Sequence, residues 1–420
     1  MNWWKRGAIG LVLFVVLAFA AIIAYGLLGD GPRAERAMRK GSYAEAVHFY
    51  DKALSHSYLP TRMRAGVTAK RAIAQGWLGH YDAALAGFND SLRLNPDDAL
   101  AYSARGTLYG LRLEWTQAFK DVDKALSLSP GNVMILKQRA MMYRANLDLE
   151  HAVAAAKTLR EADPQDTEAY YLEADGLTRM GKTDKALTVI ASIPIKSGQE
   201  AEIYADRGHT FAALGAYDLA ARDIEQALRL APERAETYWK RSGYFSRQGQ
   251  YELMFKDLDH SIELDPKNSR VWYSRGREYY QAGDYRAAHN DLMQSVKLDP
   301  ALLYQFLWLH LADVRLNEDD RGALSRILAS DKNKDWPRPV LEFFAGQRDE
   351  VSLRANAADK VAPAFALNHL CEATYYAGAL YLAKGQREKA LPLLHEAAEK
   401  CVWGGIEQFS AERDLKSLRK

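Results

Sequence analysis

Residues 269–300 read SRVWYSRGREYYQAGDYRAAHNDLMQSVKLDP, and the order of residue types in this stretch decides the fold. Trp272, Gly276 and Tyr279 lead to Gly283, which opens a tight turn; Tyr285, Ala288 and Leu292 then lead to Pro300. Ala288 and Leu292 stand four apart, so they share one helix face, and the small residue lets a neighbouring helix come close. The proline ends the second helix. Outward from here the pattern keeps a period of 34: Pro96, Pro130, Pro164, Pro232 and Pro266 hold the same phase, with Gly198 in the remaining slot. A turn glycine recurs at Gly79, Gly181, Gly215 and Gly249, followed by an aromatic at Tyr81, Tyr217 and Tyr251, with Trp115 in the same slot. Small residues recur at Ala84, Ala118, Ala152, Ala186 and Ala220, and apolar ones four later at Phe88, Val122, Ile190, Ile224 and Leu258.

This period and pattern resemble the tetratricopeptide repeat (TPR), a helix-turn-helix unit of about 34 residues. An earlier unit carries Gly41, Tyr43, Ala46, Tyr50 and Ala53, four residues out of phase, with a longer connection through Ser57-Tyr58-Leu59-Pro60. Eight units are thus expected over 29–300. One unit cannot bury its own apolar face, so stacked units share a continuous core. The expected fold is all-α, a right-handed TPR superhelical solenoid preceded by one N-terminal transmembrane helix. Residues 301–420 read as a degenerate TPR-like helical region: Asn317-Glu318-Asp319-Asp320-Arg321-Gly322 replaces the glycine turn, and Trp336-Pro337-Arg338-Pro339 interrupts any helix. The pattern then returns with Gly378, Tyr381, Gly385, Ala390, Leu394 and Ala397.

This last part is similar to the ending of NlpI-type bacterial periplasmic TPR proteins. The matching residues are Trp336, Leu341 to Gly346, Glu372 to Gly378, Gly385, Ala390 and Glu407. The resemblance implies a scaffold for envelope proteases and peptidoglycan hydrolases.

Composition agrees with one folded array. The 420 residues carry 56 Lys and Arg against 54 Asp and Glu, a net charge of +2, which excludes a strongly basic nucleic-acid binder. Apolar residues make up 48%, excluding low-complexity disorder, and two Cys exclude a disulfide-dense scaffold or a four-cysteine metal module.

The start of the chain is different material. Ala8 to Leu28 is an uncharged run of 21 residues, about the thickness of a bilayer core, and Trp3, Trp4, Lys5 and Arg6 precede it. Residues 8–28 therefore read as a transmembrane signal anchor, with 1–7 a cytoplasmic basic flank and the array in the periplasm. Ala18-Phe19-Ala20 has the form of a cleavage site, so a cleaved signal peptide is the alternative.

Three local patterns bear on function. Gly176-Leu177-Thr178-Arg179-Met180-Gly181-Lys182-Thr183 matches the P-loop string, but it falls on the end and turn of a repeat rather than after a strand, so no nucleotide is expected. Cys371 and Cys401 sit at the outer ends of two antiparallel helices of the last TPR-like unit; they are disulfide candidates, or else two buried thiols. Arg105–Asp121, Arg207–Asp223, Arg241–Asp257 and Arg275–Asp291 each lie 16 apart, equidistant from the turn, and are expected to pair across the hairpin.

In TPR arrays, which this chain resembles, the first helix of each unit lines a concave groove. By that register the groove presents Lys137, Met141, Arg144, Tyr171, Arg179, Trp239, Arg247, Arg270, Tyr273, Arg277 and Tyr280. These are read as a partner-binding surface for an acidic peptide or loop, the alternative being a solvated charged face. The ten His show no metal-ligand spacing and no nucleophile elbow is present, so no enzyme activity, metal or cofactor is expected. The reading is a single-pass inner-membrane scaffold that binds envelope proteins, such as peptidoglycan hydrolases or proteases, in the periplasm. Its alternative is a cytoplasm-facing inner-membrane assembly factor for lipopolysaccharide or exopolysaccharide biogenesis.

Overall fold

The computed structural model describes residues 29–57, 59–318, 321–330, 335–401 and 405–418. The flank and anchor expected at 1–7 and 8–28 lie outside the described residues; within those, no helix is long and apolar enough to cross a membrane. All regular structure among the described residues is helical. The chain divides into two units, Met1–Arg139 and Ala140–Lys420.

In the first unit, Thr61–Trp77 packs on Tyr81–Leu94, and Ala99–Leu111 on Trp115–Leu128, as helix hairpins. The second helix of a pair shows why. Tyr81–Leu94 buries Ala84, Gly87, Phe88, Ser91 and Leu92, one stripe at helical spacing. Burying Phe88 alone is worth about 1.5–3 kcal/mol. The helix stops before Pro96, and Asp98 caps the next helix by accepting from the Ala101 amide at 3.0 Å. The first helix comes close because it carries glycine at the crossing. A Cβ on Gly106 would lie 3.0 Å from Val122 Cγ2.

The turns require left-handed backbone. Gly79 supplies it at φ 76°, but Leu113 holds the same conformation at φ 62° without glycine's freedom, at a cost of about 1–2 kcal/mol. A second device was not legible in the repeat pattern. Ser91 Oγ, fully buried, donates to the Ala65 carbonyl at 2.8 Å, tying the second helix to the start of the first.

The second unit repeats this plan. Glu200–Ala213 packs on Tyr217–Leu230, Ala235–Arg247 on Tyr251–Leu264, and Ser269–Ala282 on Tyr285–Leu298. The serine tie recurs, Ser261 Oγ to the Ala235 carbonyl and Ser295 Oγ to the Ser269 carbonyl. Beyond Pro300 come Tyr304–Leu316, Arg321–Ser330, Arg338–Phe344, Glu350–Ala357, Pro363–Ala383, Arg387–Lys400 and Ile406–Ser417. Their core gathers Trp308, Tyr375, Tyr376, Leu341 and Phe344, and reaches back to take in Tyr280 and Leu292.

The Trp336-Pro337-Arg338-Pro339 string stands at a break between helices, as expected: Arg321–Ser330 precedes it and Arg338–Phe344 begins within it, with Pro339 in the first turn, where no partner is needed for the missing N–H. One local expectation is corrected. Cys371 is not at a helix end, because Pro363–Ala383 begins eight residues before it. Cys371 and Cys401 nonetheless lie with Cα atoms 5.3 Å apart and form a disulfide joining this helix to the end of Arg387–Lys400.

Candidate partner-binding groove

In four repeats the paired helices are locked by an arginine of the first helix. Arg105 donates from Nε and Nη2 to the two carboxylate oxygens of Asp121 at 2.6 and 2.8 Å. Arg207 holds Asp223 at 2.5 and 2.8 Å, Arg241 holds Asp257 at 2.7 Å twice, and Arg275 holds Asp291 at 2.6 and 2.9 Å. All four Asp are buried. Each guanidinium also lies between two rings of its own helix, such as Tyr238 and Phe245 for Arg241. Hydrogen bonds donated to the Asp partners push Arg105, Arg207 and Arg241 above the ordinary arginine range. These arginines are spent on structure, leaving the opposite face of the first helices to carry a site.

The residues expected on that face divide into groups. Lys137, in the first unit, is half-buried, and Met141, in the second, is exposed. Arg144 and Arg179 both turn to Asp175, at 3.8 and 2.9 Å, so the two guanidiniums share one carboxylate. Tyr171 is half-buried, and burial raises its phenol above the ordinary range. Arg270 is exposed beside Trp239, Arg234 and Asp265.

The expected stripe of Arg270, Tyr273, Arg277 and Tyr280 is not one open surface. Tyr280 is 4% exposed and packs against Trp308 at 5.5 Å between ring centroids, and Tyr273 packs against the same C-terminal core. The cause is the chain beyond Pro300, which covers this part of the Ser269–Ala282 helix.

Trp239, Arg247 and Arg277 do converge. They line a cavity of about 250 Å³ whose far wall is the Ile406–Ser417 helix, with Phe409 and Arg413. Trp239 is oriented by donating its indole N–H to Ser274 Oγ at 2.9 Å. Glu278 accepts from Arg277 at 3.2 Å through Oε1 and from Arg413 at 2.5 Å through Oε2. Arg247 makes no hydrogen bond or ion pair among the described residues; burial, then the charge of Arg277, lowers its affinity for its proton. His209, on the same cavity, has a buried Nδ1 with no hydrogen-bond partner, and burial lowers its pKa, leaving it neutral. The C-terminal wall, Phe409 and Arg413, was not legible in the sequence, since it occurs once and no repeat phase points to it.

Among the described residues, His289, Asp313 and Glu318 place donor atoms within 4.8 Å of one another. His289 Nδ1 already shares a 2.5 Å hydrogen bond with Asp313, and Arg286 holds Glu318 at 2.7 Å, so these groups satisfy each other. The P-loop string has no phosphate cradle. Gly176 lies inside the Thr167–Arg179 helix, where a Cβ would meet Val153 Cγ2 at 2.6 Å, and Gly181 is the turn residue at φ 71°.

Helix pairs of this geometry form an all-helical repeat array among the described residues. The chain carries tetratricopeptide repeats: the family model for that repeat matches residues 201–234 and 269–302. Among known proteins, sperm-associated antigen 1 of Mus musculus is 34% identical over 86 residues, which is 20% of this chain and 9% of that protein. A tetratricopeptide repeat protein from Parabacteroides merdae superposes with a TM-score of 0.44 at 16% identity, covering 59% of this chain and 98% of that one. MamA from Desulfovibrio magneticus RS-1 superposes with a TM-score of 0.35 at 17% identity, covering 40% of this chain and 92% of that one. YrrB, described as a TPR protein with an unusual peptide-binding site, gives 0.32 at 18%, covering 45% of this chain and 97% of that one. Such an array is a scaffold suited to protein–protein interaction.

Proposed function

We propose that this chain is a membrane-anchored scaffold of the bacterial cell envelope, held in the inner membrane by residues 8–28, with its array in the periplasm. It binds partner proteins, envelope proteases or peptidoglycan hydrolases in the manner its NlpI-like ending suggests, through the inner face around Trp239 and Arg277. The observation that carries the placement is the Cys371–Cys401 bond, which suits an oxidising compartment. The uncharged run behind Lys5 and Arg6 supports the same orientation. Nothing in the motif content calls for chemistry, and the reading is of a binding protein, not an enzyme.

A second reading is favoured by Arg33, Arg36, Arg39 and Lys40, which follow the run and on their own would keep that side cytoplasmic. The array would then serve an inner-membrane assembly process such as lipopolysaccharide or exopolysaccharide biogenesis. A C-terminal alkaline phosphatase fusion separates the two: an active fusion is expected, and an inactive one transfers support to the cytoplasmic reading. Crosslinking in intact cells followed by mass spectrometry, comparing the parent with Trp239→Ala/Arg277→Ala, is expected to show discrete envelope adducts lost in the variant. Identical adducts in both would remove this face from the binding surface.

A further inference from the structure

The cavity behind Trp239 has a charge balance that its own walls do not close. Three guanidiniums line it, from Arg247, Arg277 and Arg413, with one carboxylate, Glu278; Glu407, on the wall helix but outside the lining, acts on Arg277. Glu278 is held by Arg277 through one oxygen and by Arg413 through the other, and neither oxygen bonds Arg247. His209 is neutral and offers an unpartnered ring nitrogen rather than a counter-charge. A half-buried guanidinium without an anion, next to a second guanidinium, costs free energy that a structural role does not recover. The rest of the lining is mixed: Trp239, Met254 and Phe409 supply its apolar part, beside Ser242, Ser246 and Gln281. At about 250 Å³ the space suits one or two side chains and falls below the size of a drug-like ligand or lipid site.

We infer that this cavity is a subsite for an Asp or Glu side chain flanked by an apolar residue on a protein partner, with Arg247 taking the carboxylate and Trp239 and Phe409 holding the apolar neighbour. The guanidinium fork matches a carboxylate in two hydrogen bonds, and the aromatic walls exclude the water that would otherwise screen them. The C-terminal helix is therefore part of the binding site, not only the end of the array. This inference rests on the groove reading above and adds to it the chemistry of the occupant.

The test uses the full chain in detergent and an array of 12-residue peptides in which Asp or Glu is flanked by Leu or Phe. Matched peptides carry Asn or Gln, or phosphoserine, in the acidic position. The acidic peptides are expected to bind, with the Asn and Gln forms about tenfold weaker or worse. Arg247→Gln and Phe409→Ala each abolish that selectivity, while Arg93→Gln, on an exposed surface pair, leaves it intact. Because Arg247 has no partner to lose, Arg247→Gln is expected to melt at or above the parent temperature. A fall of several degrees would make it a structural residue and overturn the assignment, as would binding that ignores the acidic residue or requires phosphoserine. A photo-crosslinker at Tyr171, outside the cavity, separates the two failures. Partner capture there without acidic selectivity in the array sinks the subsite and leaves the groove reading standing. No capture and no peptide binding sinks both.

Discussion

Arg413, in the last helix of the chain, donates to Glu278 at 2.5 Å across 135 positions of sequence, and both side chains are largely buried, at 13% and 6% exposure. The bond closes the C-terminal region onto the Ser269–Ala282 helix. Arg413 also lies over the Tyr251 ring at 4.8 Å, so one guanidinium joins three helices. Removing it leaves Glu278 with Arg277 alone. Arg413→Ala is expected to cost about 1.5–3 kcal/mol, the range for a hydrogen bond to a charged group, read by urea unfolding of the full chain. The double variant with Glu278→Ala measures the coupling directly. A coupling energy near zero would show that the helix is held by apolar contacts and not by this bond.

The repeated Arg–Asp pairs give a second test. Asp257 is buried while its partner Arg241 is 28% exposed, so the pair falls between a buried and a surface ion pair. Asp257→Ala is expected to cost roughly 1–4 kcal/mol. Asp90→Ala, which removes the exposed partner of Arg93, is expected to stay within about 0.5 kcal/mol of the parent. Equal effects from the two substitutions would mean that burial does not set the strength of these pairs.

These pairs were legible because the chain states them several times. Arg105, Arg207, Arg241 and Arg275 keep one phase, each with Asp 16 residues on, and a hairpin of fixed turn position leaves them nowhere else to go. The serine ties at Ser91, Ser261 and Ser295 repeat as well, but serine at a helix position gives no direction for its hydroxyl, which depends on the crossing of two helices. Leu113 and Leu147 adopt left-handed backbone that leucine does not announce; only the turn geometry forces it. The largest miss is at the C-terminus. Tyr273 and Tyr280 carry the groove register, yet the chain after Pro300 covers them, and a contact made once over so long a separation has no period to reveal it. Arg247, named from the register of the first helices alone, lies on the cavity between its own helix and Ile406–Ser417.

The covered region also sets a pH dependence. Glu372 accepts from Tyr304 Oη at 2.9 Å and from Trp336 Nε1 at 2.6 Å; burial, reinforced by the Glu407 charge, lifts it to about 7 against those two hydrogen bonds. Burial lifts Asp414 to about 7 as well, opposed by Arg315, Tyr375 and Arg413. A carboxyl raised on folding binds more protons in the native than in the unfolded chain. Its contribution is complete below the ordinary carboxylate range and is lost as pH rises through about 7. The urea midpoint of the Ala140–Lys420 unit is therefore expected to be higher at about pH 5.5 than at about pH 8, followed through Trp308 and Trp336 fluorescence. Glu372→Gln should remove a large part of that difference. Burial lowers the pKa of His209 and His369, which act in the opposite sense across this window, so the deciding quantity is the parent midpoint minus that of Glu372→Gln: a difference that does not fall as pH rises would contradict the assignment.

The disulfide supplies the last prediction, and it bears on compartment as well as stability. Cys371 and Cys401 enclose a loop with a sequence separation of 30, and they are the two cysteines of the whole chain. Closing a loop of this length restricts the unfolded chain by roughly 3–4 kcal/mol in the chain-entropy account. The bond joins the Pro363–Ala383 helix to the end of Arg387–Lys400, immediately before the helix that forms the cavity wall. Its loss is expected to be felt in that wall before the rest of the unit. Cys401→Ser, or reduction of the parent, should lower the midpoint of the second unit and leave the first, which contains neither cysteine, unchanged. Hydrogen exchange should report the difference as faster exchange over Ile406–Ser417. Non-reducing mass spectrometry of protein quenched with alkylating agent from intact cells should find the two residues linked in the envelope fraction. Full alkylation of both thiols would remove the oxidising compartment from the proposal and favour an array facing the cytoplasm.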